Sequence, residues 1–281
     1  HVNSSGVLTA PGVDGISLGS NVRMGWYKDM TAIGPMSVIV VWADYAKNIV
    51  AQKVDAGLPW GATPTVISND AHDEGPVDVV FDGVDGALIT WSGLQVAPTK
   101  NAQVRAQRIS SNGSALWGIN GVVIVDSAVV GGDPDDWVFF EVVPVIASDG
   151  WGGAIVAWND WRNDAGTTGN DDVYAQRVNT GGSLLWTAGG VLLPPWIVGA
   201  TAPGSQRRAR IVSDLAGGAV VTYMDKGGWS WDISATRLDG DGNKRWSNYI
   251  FSDSYSQSDP GEEQRNPVIV YDGSGLSSLG A

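Results

Sequence analysis

The chain of 281 residues has no cysteine, two histidines and 14 tryptophans, with 30 acidic side chains against 17 basic ones and a formal net charge of −13. These counts exclude a disulfide framework, a thiolate metal site and a cysteine nucleophile, and they leave imidazole chemistry only His1 and His72. The acidic balance repels nucleic-acid phosphates and anionic lipid, and no apolar run reaches the roughly 20 residues a membrane helix needs.

In chain order, the sequence repeats. The first copy, within 21–68, runs through Val38 to Trp42, Ala51 to Val54 and Trp60. The second, within 69–126, holds Phe81 to Trp91, Val104 to Ile109, Ala115-Leu-Trp117 and Gly121 to Val125. The third, within 127–195, is the clearest: Ser148-Asp-Gly-Trp-Gly-Gly-Ala-Ile-Val-Ala-Trp158, Asp172-Val-Tyr-Ala-Gln-Arg-Val178, Ser183-Leu-Leu-Trp186 and Gly190 to Leu193. The fourth, within 196–252, carries Ser213 to Tyr223, Ala235 to Leu238 and Trp246. A fifth is split between the chain ends: Asn266 to Gly275 supplies its start and His1 to Leu8 its finish, with Leu276 to Ala281 standing where a strand ending in Trp is expected.

Each copy has four short runs rich in Val, Ile and Ala, separated by Gly, Asp and Asn turn signals, which predicts a four-stranded antiparallel sheet. In the third copy the strands, lettered A to D, fall near 142–148, 153–158, 173–179 and 190–193. Repeated units of this kind predict an all-β, five-bladed β-propeller as one domain over 1–281. Its blades lie at about 21–68, 69–126, 127–195 and 196–252, with the split blade from 253–281 plus 1–20. Pairing N- and C-terminal strands in that blade closes the ring and satisfies its edges.

The combination of Asp-Gly-x-Gly-Gly, Tyr-Ala-Gln-Arg-Val and Leu-Trp in this repeat resembles secreted bacterial repeat propellers. Its C-to-D corners, such as Asp239 to Trp246 and Asn179 to Trp186, resemble the Asp-box and the tryptophan-docking turn of quinoprotein-type propellers. The resemblance implies an extracellular or surface location and a structural role for the corners. The five-fold count is similar to that of tachylectin-type lectins and five-bladed glycoside hydrolases, a likeness of fold only.

Residues that recur in every blade read as architecture. Trp42, Trp91, Trp158 and Tyr223 end strand B, and Trp60, Trp117, Trp186 and Trp246 sit at the C-to-D corner, all expected in packing. Asp44, Asp160, Asp225, Asp172 and Asp232 read as hairpin residues, with Arg162 an ion-pair partner. Off the pattern stand Trp137 and Trp196 in D-to-A connections and Trp161, Trp229 and Trp231 in B-to-C loops, all on one face. Near them are Asp135, Asp136 and Glu141. Indoles beside carboxylates suit a sugar, whose C–H face stacks while its hydroxyls donate. Contact with another protein, or a purely structural cap, are the alternatives.

The expected function is thus a binding or structural propeller module, recognising glycan or protein as part of a larger surface or secreted assembly, with no nucleic acid, no membrane span and no cofactor. A calcium ion on Asp160, Asp164, Asp171 and Asp172 is the one ligand set the loops offer. The alternative is a glycoside hydrolase using paired carboxylates at the propeller mouth, with Asp78, Glu141 and Asp149 as candidates. Arg23, Arg207, Arg210 and Arg265 lie near inner strands without a recognisable motif. Starting at His1 rather than Met, the chain reads as processed or as a fragment.

Overall fold

The computed structural model describes residues 28–55, 58–59, 61, 63–70, 73–95, 101–129, 142–162, 171–193, 205–226, 231–251 and 266–270. Four antiparallel sheets follow one another along the chain. The first holds β1 (Lys28–Gly34), β2 (Ser37–Ala43), β3 (Ile49–Asp55) and the short β4 (Leu58–Pro59) and β5 (Thr65–Ser68), both of which pair with β3. The second is β6 (Asp73–Phe81), β7 (Ala87–Gln95), β8 (Asn101–Ile109) and β9 (Val122–Val129). The third is β10 (Val145–Ser148), β11 (Ala154–Asp160), β12 (Asp172–Val178) and β13 (Val191–Leu192), and the fourth β14 (Gln206–Ser213), β15 (Ala219–Asp225), β16 (Asp232–Leu238) and β17 (Lys244–Phe251). The fold is therefore all-β, with three of the predicted units present as four-stranded antiparallel sheets and the first as a sheet of five strands. The split fifth blade lies outside the described residues apart from 266–270.

Three apolar layers join consecutive blades. Ile39, Val41, Val79, Ile89 and Trp91 fill the first, Leu88, Val104, Trp117, Val156 and Trp158 the second, and Ile155, Trp186, Val221, Tyr223 and Leu238 the third. A blade with neighbours on both sides must be apolar on both faces, which is why β11 reads Ala-Ile-Val-Ala-Trp and is buried throughout. Trp91 and Trp158 are fully buried, each removing roughly 150–250 Å² from water, or about 4–6 kcal/mol of transfer free energy.

The A-to-B turns and C-to-D corners form one end of the molecule and lock it. Asp149 Oδ1 accepts the Trp151 and Gly153 amides, each at 2.8 Å, while its Oδ2 accepts Arg177 Nε and Nη2 at 3.1 and 2.8 Å. Asp82 with Arg108 repeats this device. Burial raises the Asp82 carboxyl, but the Val84 and Gly86 amides and the Arg108 guanidinium outweigh it and hold the group below the usual carboxylate range. Asp214 and Arg237 form a looser copy at 3.7 Å.

The lock reaches across blades. Arg177 Nη1 donates to the Gly240 carbonyl of the next corner at 2.9 Å, and Trp186 Nε1 donates to the same oxygen at 3.0 Å. Trp117 Nε1 donates one blade earlier to Thr180 at 2.9 Å. Each indole lies flat on the following corner because that corner has a glycine there. A Cβ on Gly242 (φ 82°) would meet the Trp186 ring at 2.8 Å, and one on Gly182 (φ 85°) the Trp117 ring at 3.2 Å. The expected inter-blade role of Trp117 and Trp186 is thus realised, Trp246 is only half-buried, and Trp60 lies outside the described residues.

Candidate functional site

The inner strands β1, β6, β10 and β14 line the centre, and the residue paired with the position just before the strand-B aromatic marks one level on each. Those residues are Asp29 (opposite Val41), Asp78 (opposite Thr90), Val145 (opposite Ala157) and Arg210 (opposite Thr222). Unlike the turn aspartates they do not repeat. Asp29 Oδ2 accepts the Val79 amide of the next blade at 3.0 Å, and Asp78 Oδ2 accepts the Ile146 amide of the blade after at 2.8 Å. The two carboxyls adjoin one another, so that ionising both sets like charges together. Burial, and then the adjoining Asp29 carboxylate, push Asp78 up to about 7 against the Ile146 amide and the attraction of Arg210.

Of the hydrolase candidates read from sequence, only Asp78 is placed at this level of the inner strands. Asp149 sits in the A-to-B turn at the opposite end, buried and engaged by Arg177 and two amides, so its assignment as a mouth acid is corrected. Glu141 lies outside the described residues, as do Trp137, Trp196, Trp229, Asp135 and Asp136.

Trp161 is 3% exposed and packs in the layer between the second and third blades. It is a core residue rather than an exposed platform, because the apolar layer there takes up the ring. Trp231 is half-buried, with Arg207 at 5.5 Å and Lys226 at 5.6 Å from its ring centre. Arg207 Nε donates to buried Asp171 at 2.8 Å. Burial pushes Asp171 up to about 6, with Arg207 pulling the other way.

Of the four proposed calcium ligands, Asp160 takes Arg162 Nε at 2.8 Å and the Trp158 indole at 3.3 Å. Asp171 takes Arg207, and Asp164 lies outside the described residues. Among the described residues no group of three or more acidic or histidine side chains is placed to hold a metal ion.

Asp29 and the pairing of Arg210 with Asp78 were not singled out from sequence. The signal was present: Asp78, Val145 and Arg210 all stand four residues before a turn aspartate, at Asp82, Asp149 and Asp214. Trp151, 60% exposed on the turn face with Arg177 at 4.8 Å from its ring centre, was also missed.

The chain matches no protein-family model and no curated protein sequence. Among solved structures it is similar to an endo-arabinase from Bacteroides thetaiotaomicron, at 13% identity and TM-score 0.37 over 85% of this chain and 86% of that one. It is similar to a β-fructofuranosidase from Bombyx mori at 11% identity and TM-score 0.42, over 82% of this chain and 51% of that one. An α-L-arabinofuranosidase from Podospora anserina, in complex with cellotriose, matches at 12% identity and TM-score 0.35, over 67% and 62%.

Proposed function

We propose that this protein is a glycan-binding propeller whose ligand enters the central channel from the loop-rich face. The observation that carries this is the meeting of Asp29 and Asp78 at a non-repeating level of the inner strands. Two carboxyls drawn together make ionising one of them costly, and acids perturbed in this way mark functional sites. A pair holding one proton both donates and accepts, which suits the hydroxyls of a sugar.

The channel belongs to a five-bladed ring closed by 253–281 and 1–20. Two features support closure. Trp246 is the half-buried counterpart of Trp117 and Trp186, and the corner next in the repeat is Asn3-Ser4-Ser5-Gly6. On β1, Met30 is 66% exposed while the alternate residue Asp29 reaches the second blade, so one face of this inner strand awaits a neighbour. The secreted-type repeat supports an extracellular or surface location within a larger assembly.

Hydrolysis is a second reading, favoured by one observation: Asp78 is pushed up to about 7, where a general acid working near neutral pH is poised. It requires a further carboxylate, for which Glu141 is the sequence candidate. A glycan array with isothermal titration of the hits, run beside a reducing-end assay, separates these outcomes. The binding proposal expects hits that weaken at least tenfold in Asp78→Asn and no new reducing ends. Released ends would establish the hydrolase, and an array without hits would overturn both.

A further inference from the structure

We infer that the channel ligand carries a carboxylate and that Arg210 is the residue that selects it. This rests on the glycan reading above and names the class of glycan. The chain is acidic, with 30 acidic against 17 basic side chains, yet the inner strand β14, Gln-Arg-Arg-Ala-Arg-Ile-Val-Ser, places three arginines at 207, 208 and 210. A protein of net charge −13 does not attract an anionic sugar through its overall field. Recognition of one would need local cations at the centre, and β14 supplies them there.

Backbone geometry shows that the arginine placement is built. The β14–β15 pairing slips between Arg207, opposite Met224, and Arg210, opposite Thr222, and Arg208 within the slip has φ 55°. In a regular strand, residues three apart point to opposite faces. The bulge puts 207 and 210 on one face, at the cost of a left-handed conformation that a non-glycine residue seldom adopts.

The two arginines then have different fates. Arg207 is neutralised by Asp171 at 2.8 Å. Arg210 gives Nη1 to the neighbouring Ala209 carbonyl at 2.8 Å, and among the described residues it makes no ion pair. It does lie within electrostatic reach of Asp78. Pushed up to about 7, that acid is only partly ionised at neutral pH and cancels the guanidinium only in part. A planar, permanently charged fork at the same inner-strand level as two carboxyls has the chemistry to bind a carboxylate while the acids take hydroxyls. A uronic-acid residue presents that combination.

The test is titration of the whole protein with an oligogalacturonate and with its fully methyl-esterified form, which has the same chain length and no charge. Wild type is expected to bind the acid form at least about tenfold more tightly, near 1.4 kcal/mol. Arg210→Gln should bring that ratio close to one. Arg245→Gln removes the same charge from an exposed site at the turn end and should leave the ratio intact. Thermal unfolding of each variant controls for misfolding. If both forms bind equally to wild type, or if Arg210→Gln weakens both alike, the inference fails while the glycan reading stands. If neither these nor any array glycan binds, both fall. A sulfated oligosaccharide bound better than the carboxylated one would overturn the carboxylate assignment.

Discussion

Asp82, Asp149 and Asp214 each stand just past the end of an inner strand, and Asp78, Val145 and Arg210 occupy a level four residues earlier, within those strands. At the first level the residue is always aspartate, one oxygen capping its own turn and the other facing the arginine of strand C. At the second level, which Asp29 joins from β1, an acid pair, a valine and an arginine share a position and no chemistry. The backbone is common to both. A residue that repeats with it solves the same packing problem in each blade, and one that varies along an unvarying backbone answers to something outside the fold.

The largest effect should come from breaking the repeating level. Arg177→Ala leaves Asp149 buried without its cation and removes a donor from the Gly240 carbonyl. Loss of about 3–5 kcal/mol is expected from urea unfolding, the cost of stranding one member of a buried pair. Arg237→Ala, whose pair with Asp214 is longer at 3.7 Å, should lose about 1 kcal/mol. Equal losses at the two positions would show that the lock does not depend on geometry.

The varying level should respond with the opposite sign. The folded pKa of Asp78, about 7, lies above its ordinary value of 3.8. Folded protein therefore binds this proton more tightly than unfolded chain, and ionising it costs stability as pH rises between those values. Below about pH 4 the penalty is absent; above about pH 7 it is complete. Asp78→Asn removes it, so the variant should match wild type at pH 4 and exceed it at pH 8 by as much as about 4 kcal/mol. A variant less stable than wild type at pH 8 would mean that the Asp78 carboxylate supports the fold, and that the level is structural after all.

The fold was legible because the repeat states it several times. Trp91, Trp158 and Tyr223 mark the end of strand B and are all fully buried, and Trp117 and Trp186 mark corners that dock on the next blade. The site was legible only in part. Asp78 was visible as an acid near an inner strand, but its partner Asp29 belongs to the blade whose A-to-B turn, Pro35-Met36, lacks the Asp-Gly that sets the frame elsewhere. Without that landmark the two acids do not align. Arg210 was hidden by a bulge, since its facing depends on a register slip that no alternation pattern reveals. Trp161 misled because a tryptophan next to a variable loop reads as exposed, whereas the ring turns inward to an apolar layer that only the neighbouring blade creates.

Trp151 offers the smallest and most discriminating perturbation. Its indole is 60% exposed and breaks the repeat, which puts it with the varying residues, yet it sits on the turn face with the locks, over the Arg177 guanidinium. If exposure and novelty alone marked a recognition surface, Trp151→Ala would remove ligand binding. If position on the inner strands is what matters, the substitution loses only the cation–π contact, about 0.5–1 kcal/mol of stability, and leaves channel affinity unchanged in the titration that Asp78→Asn weakens. The second outcome is expected, because the ring extends a lock the other blades complete without it: Val84 and Ala216 stand at the same turn position, and the Asp82 and Asp214 carboxylates still accept their turn amides there.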